Sequence, residues 1–431
     1  MDIVIKSKKG KSVLKIDKTM KILWIANIPF PEPLEIINQP TIPYAGWLYA
    51  LAEKLSNIEE ISLSIAFPYK QEALLESYLG EKIRYFFLNN SKIIEAGSIL
   101  LEEVNPDLVH IHGTEMSHSL YFQELCEKNN YKYVVSIQGL VSIIANHLFS
   151  NLNLSTIYGF NLIDIFFRNS LYLQKKNYLR RAKNEQKMLS KAPYVIGRTE
   201  FDKAITVQYN PNARYFHCNE ILRDSFYEKS WDYAECRKNS IFVSQAQSPI
   251  KGFHFVVETV RILKDKYPNL IVYVSGETRI FDNRINSRLL RTRYESHIRS
   301  LIKKYNIGLN FKHVGKLSEI EMRNQYLKSN VFVSASTIEN ESNSVSEARL
   351  LGVPTVSSFV GGVYSRITHG KDGYLYPYDA PYMLAYYIDK LFSDQKLAKS
   401  ISVHGRESAV LINNPTINTS ALIDIYKMIL E

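Results

Sequence analysis

Residues 336–360 read STIENESNSVSEARLLGVPTVSSFV and contain two glutamates, Glu339 and Glu347, eight positions apart. The residues before this stretch, 330–334 (NVFVS), are typical of a buried strand. Residues 345–351 then have the pattern of a helix. The spacing therefore predicts one carboxylate on the loop after a strand and the other just inside the following helix.

The predicted helix begins at Asn343 or Ser344. The backbone N–H groups of Asn343, Ser344 and Val345 point out of the helix start, where the helix dipole favours an anion. The two glutamates beside it can accept hydrogen bonds from sugar hydroxyls. This combination predicts a site for a nucleotide sugar. A second interpretation is that both glutamates are solvated acids near a helix N-terminus.

The stretch resembles the signature of the retaining glycosyltransferases of family 4, which have the GT-B fold. In that family a glutamate is followed, after seven residues, by a second glutamate and an alanine. Gly-x-Pro, a short strand and a Gly-Gly pair come next. The matching residues are Glu339, Glu347, Ala348, Gly352, Pro354, Gly361 and Gly362. Within the family, the sequence looks closest to enzymes that build bacterial surface polysaccharide.

The resemblance implies roles for individual residues. Glu347 would accept hydrogen bonds from the nucleotide ribose, and Glu339, as a catalytic residue, would contact hydroxyls of the transferred sugar. Lys251, in FVSQAQSPIKGF, matches the family's donor-phosphate lysine, and Gly252 would allow close approach of the backbone. A lysine at a helix start is unfavourable against the dipole, which favours a functional interpretation of Lys251. Glu341 is the less favoured alternative to the two signature glutamates.

The sequence departs from the family at the second phosphate contact. Family members commonly have an arginine a few residues before the lysine, where this chain has Ser244-Gln245-Ala246. Gln245 can donate a hydrogen bond but has no charge. Arg198 (in IGRTEFD) and Arg223 (in NEILRDSFY) are the candidate replacements for this phosphate contact. The alternative for each arginine is a surface or interdomain ion pair.

The N-terminal half offers two further candidates. Gly46 resembles the family's glycine-rich loop, whose backbone approaches the donor phosphate or the acceptor. His112 ends the apolar run LVHIH and is the candidate catalytic residue on the acceptor side. Gln138 stands where many family members have a functional histidine, so that role does not carry over. His110 and His112, two positions apart, are expected to point to opposite faces of the strand.

Short apolar runs alternate with helical patterns twice along the chain, from residue 20 and again from about residue 240. This alternation predicts an α/β protein with two Rossmann-like, doubly wound domains, as the GT-B fold requires, and ligands bound in the interdomain cleft. We predict an N-terminal extension (1–19), an acceptor-side domain (20–232) and a nucleotide-sugar-binding domain (233–418). A last helix (419–431) is expected to cross back to the first domain.

The composition and short motifs of the sequence restrict the expected location, partners and cofactors of the protein. The 431 residues contain no apolar run long enough to span a membrane and begin without a signal-peptide pattern, which predicts a cytoplasmic location. A net charge of +10 favours anionic partners, namely nucleotide phosphates or acidic lipid head groups. The sequence contains no nucleic-acid-binding motif, so nucleic acid is not an expected partner. It also has no Asp-x-Asp motif, which agrees with transfer that uses no metal and no other cofactor.

Residues 164–191 predict a basic amphipathic helix. Its apolar stripe consists of Phe167, Leu171, Tyr178, Ala182 and Leu189. The basic residues opposite the stripe are Lys176, Arg180, Lys183 and Lys187. Such a helix either lies on an anionic membrane near a lipid-linked acceptor or packs its stripe on a protein core.

These patterns and the resemblance predict a retaining, metal-independent, hexosyltransferase-like glycosyltransferase. It would transfer a sugar from a nucleotide sugar to a saccharide acceptor, lipid-linked at the inner face of the membrane, in cell-surface polysaccharide synthesis. The alternative is a catalytically degenerate GT-B subunit that acts as a binding partner. The missing phosphate arginine and Gln138 favour this alternative, whereas Glu339, Glu347 and Lys251 argue against it.

Overall fold

The computed structural model describes residues 19–40, 46–159, 164, 166 and 170–431. Most of the N-terminal extension (1–18) and Phe167 therefore lie outside the described residues. The described strands form two sheets, one in each half of the chain.

The first sheet has eight strands. They are β1 (Met20–Ile25), β2 (Ile61–Tyr69), β3 (Leu75–Leu79), β4 (Arg84–Asn89), β5 (Leu108–His112), β6 (Tyr133–Ser136), β7 (Tyr194–Gly197) and β8 (Arg214–His217). Their order is β3-β4-β2-β1-β5-β6-β7-β8, and every neighbouring pair is parallel except β3 and β4.

The second sheet has six strands. They are β9 (Arg237–Val243), β10 (Ile271–Ser275), β11 (Phe311–Gly315), β12 (Ser329–Ser334), β13 (Thr355–Ser358) and β14 (Tyr374–Tyr376). Their order is β11-β10-β9-β12-β13-β14, and all of these pairs are parallel. In each sheet the order reverses beside the first strand, between β1 and β5 and between β9 and β12. A ligand binds outside the carboxyl ends of the strands at such a reversal.

Helices connect the strands. In the first half they are α1 (Pro31–Ile36), α2 (Gly46–Ser56), α3 (Ile93–Val104), α4 (Ser117–Lys128), α5 (Val141–His147), α6 (Leu154–Tyr158), α7 (Leu171–Lys191) and α8 (Glu200–Tyr209). In the second half they are α9 (Phe253–Leu263), α10 (Ile285–Leu289), α11 (Arg293–Lys304), α12 (Glu319–Leu327), α13 (Asn343–Leu350), α14 (Pro381–Ser393), α15 (Gln395–Ile412) and α16 (Pro415–Leu430). The prediction of two doubly wound α/β domains with the GT-B fold is confirmed.

Burial explains why the central strands are almost continuously apolar. Every residue of β5 and β12 is buried, because helices cover both faces of a parallel sheet. One apolar core lies on each face of the first sheet, and a third core fills the second domain. The third core also includes Leu152, Ile157 and Leu171, from the chain between β6 and β7. This part of the first half therefore packs on the second domain.

Helix α7 begins at Leu171, where the Ser170 hydroxyl accepts a hydrogen bond from the N–H of Leu173 at 3.4 Å. Leu171, Ala182 and Leu189 of the apolar stripe are buried. This part of the stripe packs on protein, as one of the two interpretations of the sequence proposed. The basic side of the helix is exposed.

Helix α16 packs on the first domain, although it follows the second domain in sequence. Leu422, Ile425 and Ile429 are buried in the core beneath β1. The Tyr426 hydroxyl accepts a hydrogen bond from the Trp24 indole N–H at 3.0 Å and lies 2.6 Å from His110 Nδ1. This hydroxyl thus joins the helix to two neighbouring strands.

Replacing Tyr426 with phenylalanine is expected to lower the free energy of unfolding by about 1–3 kcal/mol, because it leaves the buried Trp24 N–H and His110 nitrogen without their partner. Urea unfolding monitored by circular dichroism measures the change. Tyr382→Phe is the control, since that side chain is 65% exposed. Equal stability of the two variants would contradict the prediction.

Candidate functional site

The loop that follows β12 is held by close contact with glycines. A Cβ on Gly361 would lie 1.9 Å from the carbonyl oxygen of Glu339, and one on Gly252 would lie 1.8 Å from that of Ala335. Both glycines have positive φ, +49° and +64°, which side-chain-bearing residues rarely adopt. Gly361 of the signature and Gly252, next to Lys251, therefore shape the loop that carries Glu339.

Lys251 and Glu339 are in direct contact at the carboxyl ends of β9 and β12. Lys251 Nζ lies 2.6 Å from Glu339 Oε1, and the Ser336 hydroxyl donates to the same oxygen at 2.7 Å. The Lys251 side chain is 28% exposed and that of Glu339 is 13% exposed. A cation and a carboxylate are thus held together at the point where the strand order reverses, with access to solvent.

Glu347 lies in the first two turns of α13 and has two partners. Arg223 Nη2 lies 2.6 Å from Oε1, and the Tyr326 hydroxyl donates to Oε2 at 3.3 Å. Burial raises the pKa of the Glu347 carboxyl above its ordinary value, and Arg223 partly offsets this effect. Tyr326 also donates to the Ser344 carbonyl at 3.1 Å, which fixes the first turn of the helix.

Arg223 and Gly46 contact each other beside Glu347. A Cβ on Gly46 would lie 2.5 Å from Arg223 Cδ, so glycine makes room for this arginine at the start of α2. The Arg223 guanidinium also lies over the ring of Phe226 and 3.9 Å from a Glu319 oxygen. The structure therefore brings together three predicted site residues from distant parts of the chain.

The start of α13 faces the loop after β9. Ser342 is the N-cap residue, and its side chain makes no capping hydrogen bond. Its carbonyl accepts hydrogen bonds from Val345 and Ser346. The Ser244 hydroxyl donates to the Ser344 hydroxyl at 3.0 Å. Gln245, next to Ser244, is exposed at the same edge. Asn343, Ser344, Val345 and Gln245 thus lie around the reversal point.

Arg198, the second candidate phosphate contact, is engaged in a different cluster. Its guanidinium pairs with the carboxylates of Glu220 and Glu341 and donates to the carbonyl oxygens of Ile137 and Gln138. The Arg198 side chain is only 6% exposed. Arg198 therefore forms an interdomain ion pair, which is the alternative that the sequence analysis gave for this residue.

His112 and His110 point to the same face of β5, contrary to the expectation of opposite faces. Their rings stack with centroids 3.9 Å apart and planes 28° apart. The expectation was wrong because side chains two positions apart in a strand share a face. His112 is buried, and neither ring nitrogen has a hydrogen-bond partner among the described residues. Burial lowers its pKa to about 3, so the ring is neutral at neutral pH.

The buried imidazole predicts a dependence of stability on pH. The pKa of His112 in the folded state, about 3, lies below the ordinary value of 6.5, so the unfolded chain binds the additional proton between these values. The free energy of unfolding is therefore expected to fall as the pH drops from 6.5 towards 3, by up to about 1.4 kcal/mol per pH unit for this group.

His112→Phe preserves an aromatic ring and is expected to make this fall shallower. The measurement is the free energy of unfolding by urea at several pH values between about 3.5 and 7, which cover most of the interval between the pKa of His112 in the folded state and its ordinary value. His404→Phe, which replaces an exposed histidine, is the control. An unchanged slope in His112→Phe would show that His112 does not titrate in this way.

Two Rossmann-like domains that share a site at their strand ends define the GT-B architecture. Residues 227–408 match the family described as glycosyl transferases group 1. A curated relative from Bacillus subtilis (strain 168), "Putative glycosyltransferase YtcC", is 22% identical over 421 residues, covering 95% of this chain and 93% of the relative.

The fold is shared with many solved structures, including the following two. Sucrose-phosphate synthase from Thermosynechococcus elongatus has a TM-score of 0.68 and 15% identity, covering 95% of this chain and 98% of the other. HepE of Anabaena, in complex with UDP-glucose, has a TM-score of 0.65 and 13% identity, covering 95% of this chain and 100% of the other.

Several residues of the site were missed by sequence reasoning. Tyr326 and Glu319 lie on α12, far from the signature, and no local pattern distinguishes them from other helical residues. Ser244 was noted only as part of a stretch that lacks arginine. Glu341 lies within the signature loop, two positions after Glu339. The sequence offered it only as a less favoured alternative to the two signature glutamates. Arg366, whose Nη2 lies 2.8 Å from Glu341 Oε1, was not singled out by any sequence pattern.

Proposed function

We propose that the protein is a retaining glycosyltransferase that transfers a hexose-like sugar from a nucleotide-sugar donor to a saccharide acceptor. The observation that carries this proposal is the pairing of Lys251 with Glu339 and of Arg223 with Glu347 on either side of the start of α13. These groups supply cations and a helix dipole for a diphosphate, and carboxylates for ribose and sugar hydroxyls.

The reaction separates charge, because the C–O bond between the sugar and the diphosphate breaks as the sugar becomes cationic. Lys251, Arg223 and the N–H groups of Asn343 and Ser344 stabilise the departing diphosphate. In the proposed reaction the acceptor hydroxyl attacks the anomeric carbon on the face that the diphosphate leaves. A new C–O bond forms, and the hydroxyl proton goes to a diphosphate oxygen. No metal or other cofactor takes part in this scheme.

UDP is the favoured nucleotide of the donor, because the structure of HepE, which shares the fold, contains UDP-glucose. Glu347 would bind the ribose and Glu339 the transferred sugar. Gly46 and His112 lie on the N-terminal domain, which we assign to the acceptor. We propose a lipid-linked acceptor used in cell-surface polysaccharide synthesis on the cytoplasmic side of the membrane.

A thermal-shift panel of UDP-, GDP-, ADP- and CMP-sugars tests the proposal. A ligand present at 100 times its Kd should stabilise the protein by about 2.7 kcal/mol. A shift with one nucleotide class identifies the donor, and NMR of the product then shows whether the anomeric configuration is retained. Well-folded protein that responds to none of these donors would overturn the proposal and favour the degenerate subunit.

The exposed basic side of α7 is the proposed membrane contact. Lys176, Arg180 and Lys183 are exposed on this helix, and Tyr172 and Leu179 are exposed hydrophobic residues of the same helix. Basic groups attract anionic lipid, and aromatic and aliphatic side chains enter the interface. Among the described residues, no helix is long and apolar enough to cross a membrane.

Replacing Lys176 and Arg180 with glutamate is expected to weaken binding to phosphatidylserine-containing vesicles by at least about 30-fold, since each cation contributes about 1 kcal/mol. Co-sedimentation at low salt measures the change. A matched double variant, Lys303→Glu with Lys304→Glu, removes two exposed lysines of α11 and should bind like the wild type. Equal losses in both variants would contradict a specific membrane face.

A further inference from the structure

Four buried charged side chains connect the two domains. Arg198 and Glu220 come from the N-terminal domain, and Glu341 and Arg366 come from the C-terminal domain. Glu341 is shared between the two arginines: Arg198 Nε lies 3.3 Å from Oε2, and Arg366 Nη2 lies 2.8 Å from Oε1. Arg198 pairs with Glu220 on its other side. We call these four residues the interdomain cluster.

Neutral partners extend the cluster in both directions across the boundary. Arg366 Nη1 donates to Asn219 Oδ1 at 2.8 Å, and its Nη2 donates to the Arg198 carbonyl at 3.0 Å. The Glu220 carbonyl accepts hydrogen bonds from Asn413 and Asn418, near the start of α16. The cluster is thus tied to the backbone of both domains and to the chain that joins them.

Each domain contributes one positive and one negative side chain to the cluster, and the pair of Arg198 with Glu341 is the charged pair that crosses the domain boundary. The side chains of all four residues are at most 6% exposed, and two positive groups face two negative ones. Separating the domains would divide Glu341 from Arg198 and expose both to water. A buried pair of this kind adds little net stability, but it is costly to leave half-formed. The cluster therefore favours one discrete arrangement of the domains.

The loop that carries Glu339 contacts residues of the first half of the chain at three points. Glu341 pairs with Arg198, as described. The Thr199 hydroxyl donates to Asn340 Oδ1 at 3.0 Å. The hydroxyls of Ser150 and Thr337 lie 3.1 Å apart. Asn340 and Glu341 thus contact the N-terminal domain, whereas the partner of Thr337 lies in the segment between β6 and β7, which packs on the second domain.

We propose that Glu341 is a positioning residue which, with Arg198 and Arg366, couples closure of the two domains to placement of Glu339. When the domains are apart, the loop loses its contacts with Arg198 and Thr199 together. When the domains close, the ion pair of Glu341 with Arg198 holds the loop in one conformation. The Glu339 carboxylate then lies beside the Lys251 ammonium group. The role in turnover rests on the proposed function, whereas the effect on domain arrangement does not.

Glu341→Gln tests this inference, because glutamine keeps the shape and removes the charge shared by the two arginines. Spin labels are attached at Leu79→Cys and Leu309→Cys, one in each domain, where the native side chains are 78% and 95% exposed. The three native cysteines are buried, which favours labelling at the introduced sites. Pulsed electron paramagnetic resonance then gives the distribution of distances between the domains.

A matched control removes an equally buried ion pair inside one domain. Arg349 Nη2 lies 2.8 Å from Asp372 Oδ2, with side chains 2% and 6% exposed. Asp372→Asn is expected to lower stability and leave the interdomain distance distribution unchanged. Glu341→Gln is expected to broaden that distribution. If the two variants give the same distribution as the wild type, the inference is overturned.

Kinetics separate positioning from a purely structural role. With UDP-glucose as donor, Glu341→Gln is expected to lower kcat about 10²-fold, the scale of a small misplacement of a reacting group. UDP affinity, measured by calorimetry, should change little, because Glu347 and Lys251 remain. Asp372→Asn should keep the wild-type kcat. An unchanged kcat in a Glu341→Gln enzyme with a broadened distribution would remove the positioning role.

Arg366→Lys is the second variant, in case Glu341→Gln does not fold. Lysine keeps the charge but loses the planar fork that reaches Asn219, Glu341 and the Arg198 carbonyl. It is expected to broaden the distance distribution to a smaller extent, and a distribution identical to that of the wild type would count against the inference. Failure of every nucleotide sugar of the donor panel to bind the wild type would refute the proposed function and leave the distance measurements valid.

Discussion

Replacement of Lys251 by alanine is expected to lower kcat by about 10²- to 10³-fold. Lys251 is the cation on the β9 side of the site, and its ammonium group lies 2.6 Å from Glu339. Charge develops on the departing diphosphate as the sugar bond breaks, and loss of one preorganised donor to such charge costs about 2.7–4 kcal/mol in comparable sites. Glu339 would also lose its cationic partner, which adds to the effect.

Rates of sugar transfer, or of donor hydrolysis if the acceptor is not identified, give the measurement. Lys266→Ala is the matched control, because Lys266 forms a 2.6 Å pair with Asp389 on the surface of the same domain. That variant should keep the wild-type kcat. Retention of most of the activity by Lys251→Ala would exclude Lys251 from the charge-stabilising role, whatever its effect on donor affinity.

The sequence is most informative about those candidate site residues that lie close together in the chain. Glu339, Glu347 and the start of α13 lie within nine residues, and a strand and a helix fix their relation. Lys251 was identified because it matches the donor-phosphate lysine of the resembled family, and the fold places it beside Glu339 because β9 and β12 are neighbouring strands. Short-range pattern and the family resemblance together pointed to these residues as candidates.

The surroundings of the two candidate arginines could be distinguished only from the tertiary structure, in which both arginines form ion pairs across the domain boundary. Arg198 and Arg223 are both charged residues that follow the strands of the first sheet, and their sequence surroundings do not distinguish them. The fold places Arg223 beside Gly46 and Glu347, and Arg198 against Glu220 and Glu341. Long charged side chains can form ion pairs across a domain boundary. The periodicity of the sequence does not indicate which residue is the partner.

The same limit applies to Glu341. Its sequence neighbours are the signature glutamates, yet its contacts are made with Arg198 and Arg366, 143 and 25 positions away in the chain. The sequence predicted the loop, and only the tertiary structure shows that Glu339 pairs with Lys251 whereas Glu341 pairs with Arg198 across the interface. For His112, the strand was predicted correctly, but its partner His110 was assigned to the wrong face.

The second large effect is expected from Glu347→Gln, which should raise the Kd for the nucleotide sugar by about 10²-fold or more. Each hydrogen bond from a ribose hydroxyl to a charged carboxylate contributes about 1.5–3 kcal/mol, and two such bonds are at stake. Arg223, 2.6 Å from this carboxylate, would lose its close anionic partner and its orientation towards the diphosphate. Isothermal calorimetry with UDP-glucose measures the change in affinity.

Two further measurements separate this loss from unfolding. Burial raises the pKa of the Glu347 carboxyl, so its charge costs stability at neutral pH, and the neutral amide of Glu347→Gln should leave Tm close to that of the wild type. Glu319→Gln alters the other carboxylate near Arg223, 3.9 Å away, and should reduce affinity far less. Equal losses in the two variants would mean that Glu347 acts only by orienting Arg223, and the ribose would then have to bind elsewhere.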